Sequence, residues 1–259
     1  STGGGSTHGD IDAQYALRVS CNYFFYELAS RCTWQMLDET AKGFGLGEPT
    51  GIELTEITGY RSNPDSKKAN HTGVDAAWGA GDRVLTGIGQ AENRFTPLQL
   101  AVYACTLANQ GTRYKATFLN RVASSDYRTL VYENQPEILS QMDIPNDCYQ
   151  TYLEGMRAVA SLPGGTASNY FGGVKDAPGR NYPVTVCAKT GTAQHASGGS
   201  DHGAFICFAP MEDPEIAIAC FGEKVGHGSS LAKVADEIIE SYYEMVRASE
   251  TFTYENKLS

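Results

Sequence analysis

Two short strings carry the side chains best placed to do chemistry: AKTGTAQ at residues 188–194 and SCN at residues 20–22. On a strand, alternate side chains share a face, so Thr190 and Thr192 point one way and Lys189 and Gly191 the other. Two hydroxyls on one side with an ammonium close by make a receptor for a carboxylate. Gly191 has no side chain, so a ligand backbone can lie close to the strand, and an extended peptide can pair along such a strand where its edge is free. Ser20 and Asn22 are two residues apart, a spacing that does not share a helix face. They converge only if a turn between two helices holds them, and there a hydroxyl can pass protons while a carboxamide holds a peptide carbonyl. Taken singly, each string also has a plain structural reading, as a strand end with a solvated lysine and as a helix cap.

Other chemistries fit the sequence less well. The glycine strings at 43–47 and 87–90 lack the lysine and spacing of a phosphate loop and complete no G-x-G-x-x-G, so they read as turns. His195, His202 and His227 are too widely spaced for a zinc site that prefers tight pairs or cysteine partners. No G-x-S-x-G elbow occurs. A formal net charge of −10 disfavours nucleic acid as a partner, because phosphates would be repelled.

The elements that must position these strings follow from pattern. The 259 residues, 41% hydrophobic and 19% charged, suffice for a sizeable core. No apolar run is long enough to span a membrane, and residues 1–10 are small and polar, unlike a signal peptide. The 7 cysteines, with no CxxC, sit mostly in apolar runs and do not suggest a disulfide framework. Residues 1–7 read as a flexible linker. Helical spacing marks 11–19, 23–29 and 33–44, the last stopping on glycines. Thr96 and Pro97 open a further helix whose apolar face takes Leu98, Val102 and Cys105. Residues 114–132 read as short strands around a Ser-Ser-Asp turn. A helix over 146–161 carries a stripe of Tyr149, Tyr152, Leu153 and Met156. Strands at 184–192, 204–208 and 215–223 form an antiparallel meander, and a helix over 231–246 closes the chain. Helices, then strands, then a helix, without βαβ rhythm, predict an α+β fold.

In this order, S-x-N followed by K-T-G resembles the second and third signatures of the penicillin-recognising serine enzymes. The stretches HGDIDAQYALRVSCNYFFYELA, FGLGEPTGIEL, GIGQAENRFTPLQLAVYACTLANQGT and CAKTGTAQ with DHGAFICFAPMEDPEIAIA resemble class B penicillin-binding proteins, in that family's order, over residues 8–245. One mild departure is Val-Cys-Ala before the lysine, where the family usually has Val-Ala-Gly. The resemblance implies a transpeptidase or serine β-lactamase-like fold, a helical subdomain plus an antiparallel sheet, spanning residues 8–259. It implies a D,D-transpeptidase that cross-links cell-wall stem peptides ending in D-Ala-D-Ala and is acylated by β-lactams. By position Ser20 would relay protons, Asn22 would hold the substrate amide, and Lys189 would add positive potential and orient Ser20. Thr190 and Thr192 would grip the terminal carboxylate beside Gly191, and the Thr192 N–H would form half of the oxyanion hole. No cofactor or metal is implied, since serine acyl transfer needs none.

The family's first signature, S-x-x-K, supplies the nucleophile upstream of S-x-N. Its only match here is Ser230–Lys233, downstream of K-T-G and in the wrong order. The N-terminal part of the fold, with the nucleophile helix, is therefore expected to be missing from this chain, which would be inactive alone and would fold poorly or cover the gap with a partner or a second copy. Implied partners are stem peptides, β-lactams, the missing N-terminal part of the same protein, and cell-division or elongation proteins. The implied location is the extracytoplasmic face of the bacterial cell membrane, with the anchor outside the chain. The alternatives are a non-catalytic β-lactam or muropeptide receptor, a scaffold homologue, and a β-lactamase, whose S-x-N to K-T-G segment is shorter.

Overall fold

A computed structural model describes residues 8–172, 184–194 and 199–255. The linker-like start at 1–7 and His195 lie outside the described residues. The chain divides into two compact units, one of Ser1–Phe24 with Asn146–Ser259 and one of Phe25–Pro145.

The first unit carries both chemical strings. Helix α1 (Ala13–Arg18) starts where the Asp12 carboxylate accepts the Tyr15 N–H. A turn follows, and α2 (Asn22–Arg31) begins. The chain returns to this unit at α7 (Asn146–Ser161), which packs along α1. Gly155 permits that packing, since a Cβ there would lie 2.6 Å from Leu17 Cδ1. A short helix α8 (Ser168–Phe171) precedes three strands, β5 (Cys187–Ala193), β6 (His202–Ala209) and β7 (Ile216–Gly222), paired antiparallel in the order β5-β6-β7. A 3-10 turn at Gly228–Leu231 leads into α9 (Ala232–Glu255).

One face of this sheet is dry. Ala188, Phe205, Cys207, Ala209 and Ile218 pack against Val159 and Ala160 of α7, Phe171 of α8, and Ala235 and Ile239 of α9. Phe171 stacks on Phe205 with ring centroids 6.1 Å apart. Burying each large apolar side chain is worth about 1.5–3 kcal/mol, so this cluster fixes the sheet that carries residues 189–192.

The second unit holds the rest of α2, then α3 (Trp34–Gly43), α4 (Pro64–Asn70), a 3-10 turn at Gly73–Ala76, α5 (Ala80–Thr86) and α6 (Pro97–Ala108). It ends with two small antiparallel pairs. Strand β1 (Thr112–Tyr114) pairs with β4 (Ile138–Gln141), and β2 (Arg121–Ala123) pairs with β3 (Leu130–Glu133). Much of its interior is polar. Gln99 is buried and donates to the carbonyls of Glu48 at 2.9 Å and Thr58 at 2.7 Å. Arg61 joins Asp38, Glu48 and the Leu46 carbonyl. The Glu56 carboxylate closes the 50–51 turn by accepting from Thr50 and Gly51.

The expected α+β class, the antiparallel meander and the 146–161 helix are what the structure has. Thr96 caps α6 through a full capping box with Gln99. Cys105 is a correction: it is exposed, and the buried face of α6 runs through Gln99, Val102 and Thr106. Gln99 can be buried on that face because its carboxamide is satisfied on the loop carbonyls of Glu48 and Thr58. Helices α4 and α5 were not expected, because neither has a buried residue to give it periodicity.

Candidate active site

Strand β5 presents residues 189–192 at the edge of the sheet, since among the described residues β6 is its only neighbour there. Lys189 Nζ donates to Ser20 Oγ at 2.8 Å and to the Thr190 carbonyl at 2.7 Å. A residue of the second string and a residue of the first thus meet directly. Both acceptors are neutral. Burial, which disfavours an ammonium, pushes Lys189 down to about 8.

Ser20 reaches the lysine because the chain reverses between α1 and α2. Its φ is 52°, a left-handed conformation that a residue with a Cβ adopts at a cost of about 1–3 kcal/mol. The turn is held by Ser20 N–H to the Leu17 carbonyl and Cys21 N–H to the Ala16 carbonyl. The buried Cys21 lies 3.3 Å from Nδ1 of His8. Asn22 stands exposed at the head of α2. The separation of Ser20 and Asn22 by a turn rather than a helical register matches the expectation.

The two threonines of β5 have different partners. Thr190 Oγ1 is 2.7 Å from Thr166 Oγ1, on the loop between α7 and α8. The exposed Thr192 accepts a long contact of 3.5 Å from the Gly228 N–H. Gly228 packs against the strand so closely that a Cβ would lie 2.0 Å from the Gly191 carbonyl oxygen. Gly191 itself differs, because a Cβ there would meet Ala204 Cβ at an ordinary 3.5 Å. Packing within the fold does not demand this glycine.

The remaining motif, Ser230–Lys233, does not assemble. Ser230 is exposed and donates to the His227 carbonyl, while Lys233 is paired with Glu237 at 3.8 Å. Among the described residues no group of three or more His, Cys, Asp or Glu could hold a metal ion. No described helix is long and apolar enough to cross a membrane. Sequence reasoning missed Thr166 and Gly228, whose small-residue loops read as mere punctuation until the strand beside them is seen.

An edge strand with a half-buried lysine bonded to a serine on a helix–helix turn is an arrangement suited to serine acyl transfer. The family model "Penicillin binding protein transpeptidase domain" matches residues 2–240. The chain belongs to this family, and its relatives place it in class B. It is 28% identical over 255 residues to peptidoglycan D,D-transpeptidase MrdA of Acinetobacter baumannii, covering 93% of this chain and 35% of that protein. It is 28% identical over 247 residues to MrdA of Escherichia coli K12, covering 90% of this chain and 37% of that protein. Penicillin-binding protein PBP2 of Helicobacter pylori superposes with a TM-score of 0.74 at 25% identity, over 92% of this chain and 41% of that one. The same protein has been solved in complex with MreC. The chain therefore spans little more than a third of the length of these curated relatives.

Proposed function

We propose that this chain forms the proton-relay and substrate-binding wall of a serine-type D,D-transpeptidase that cross-links D-Ala-D-Ala stem peptides and is acylated by β-lactams. The observation that carries the reading is the 2.8 Å bond from Lys189 Nζ to Ser20 Oγ. In it Lys189 orients Ser20 and lends positive potential to the cleft, and Ser20 relays protons. Asn22 holds the substrate amide. Thr190 and Thr192 take the terminal carboxylate beside Gly191. The Thr192 N–H serves as an oxyanion donor, a role whose loss typically costs about 3–4 kcal/mol.

The attacking serine comes from residues outside these 259, because no S-x-x-K precedes Ser20 and Ser230 is bonded to backbone away from Lys233. The parent protein acts on the extracytoplasmic face of the cell membrane. The MreC complex of the Helicobacter pylori relative supports an elongation protein as partner.

Intact mass after incubation with benzylpenicillin tests the chain alone. The expected result is no adduct on the chain and one adduct on the full-length protein. A stoichiometric adduct on the chain, at Ser20 or Ser230, would overturn the assignment of roles. Full-length protein that binds penicillin reversibly and never forms the adduct would favour a non-catalytic receptor.

A further inference from the structure

The Thr166–Thr190 hydroxyl pair is not explained by core packing. Both side chains are half-buried, they belong to different elements, and their oxygens are 2.7 Å apart. The loop that presents Thr166 is held firmly. Gly164 has a φ of 83°, and a Cβ on Gly165 would lie 2.4 Å from the Ala158 carbonyl oxygen and 2.5 Å from that of Val159. Gly165 N–H bonds the Leu162 carbonyl and Ala167 N–H bonds the Val159 carbonyl. Ala167, the next residue, is 1% exposed within the core. Thr166 is thus pinned between two anchored neighbours, with its hydroxyl directed at β5.

A hydroxyl has one proton and two acceptor sites. If Thr190 donates to a ligand anion, its bond with Thr166 must run the other way, with Thr166 donating and Thr190 accepting. Such a chain of hydroxyls strengthens the terminal donor, because each bond polarises the next. We propose that Thr166 is a positioning residue for carboxylate recognition, holding the Thr190 hydroxyl so that its proton faces the carboxylate of an incoming ligand. The proposal rests on the reading of residues 189–192 as the carboxylate-binding strand.

The test follows acylation of the full-length protein by benzylpenicillin, which carries a carboxylate, and by its methyl ester, which does not. Thr166→Val keeps the shape and deletes the hydroxyl. It is expected to lower the acylation efficiency of the acid about 10-fold or more, through weaker initial binding, and to change that of the ester by less than about 3-fold. Thr166→Ser restores the acid to within about 3-fold of wild type. Equal losses on acid and ester, or no loss on the acid, would overturn the proposal. The acid-to-ester ratio is taken within each variant, and Thr166→Ala, judged by the same ratio, replaces a valine variant that fails to fold. If Lys189→Ala and Thr192→Val slow the acid and Thr166→Val does not, the proposal for Thr166 alone falls. If all three leave it unchanged, the reading of the strand is wrong and the proposal falls with it.

Discussion

Lys189 sets the pH behaviour expected of the site. Its folded value of about 8 lies below the ordinary 10.5. Between these values the unfolded chain binds more protons than the folded one. Its contribution to stability therefore rises with pH across about 8 to 10.5, while below that window the fold bears the cost of a buried ammonium. The positive potential runs the opposite way, being present below about pH 8 and fading above it. Acylation of the full-length protein by a carboxylate-bearing penicillin should fall as pH rises through about 8. Lys189→Arg, which stays charged, should remove that limb, and a limb that persists near pH 8 in the arginine variant would belong to another group. Ser20 makes a complementary case. Ser20→Gly relieves a left-handed φ of 52° and is expected to leave the melting temperature unchanged or raised. It also deletes the hydroxyl proposed to relay protons, so on that reading acylation should drop by about 10²-fold or more. A glycine variant that is both less stable and fully active would contradict both parts.

At the scale of elements, one glycine on β5 and one packed against it separate fold from function. Gly228→Ala places a Cβ 2.0 Å from the Gly191 carbonyl oxygen and should destabilise the protein by about 1–3 kcal/mol, read by denaturant titration. Gly191→Ala meets only ordinary contacts, so it should cost less than about 1 kcal/mol and, on the proposed reading of the strand, still slow acylation about 10-fold or more, because the methyl group would stand where the proposed ligand backbone would lie. Reversed stabilities in the two variants would show that the strand is packed otherwise. Much of this architecture is legible in the sequence. Thr96-Pro97 announces α6 through local capping chemistry, and the stripe of α7 announces its buried face, because each signal is carried by neighbours along the chain. The turn that lets Ser20 reach Lys189 is readable only once two strings 169 residues apart are taken together. Thr166 and Gly228 are silent, since their meaning arises from a strand distant in sequence. Gln99 is silent too, since the carbonyls of Glu48 and Thr58 that its buried carboxamide bonds belong to loops distant in sequence.

Across the whole molecule, burial is uneven. The sheet of the first unit is lined by fully buried Phe205, Phe208, Cys207 and Ile239. Helix α2 buries Ala29 alone and α3, α4 and α5 bury nothing, with Leu28 50% exposed, Met36 54% and Leu85 37%. Helices of this length owe most of their stability to a packed face. In the isolated chain, amide hydrogens of α2 to α5 are expected to exchange at least about 10-fold faster than those of β6, consistent with low local opening energies. Uniform protection across both units, or one sharp high-temperature transition of the monomer, would show that the 259 residues make a complete core by themselves.

The bond between Lys189 and Ser20 carries the functional reading, and the acylation rate of the full-length protein by benzylpenicillin, measured for wild type and for Lys189→Ala, tests it most directly. The expected outcome is a rate lowered by about 10²-fold or more in a variant that retains its melting temperature. An unchanged rate would show that the lysine on this strand takes no part in the chemistry.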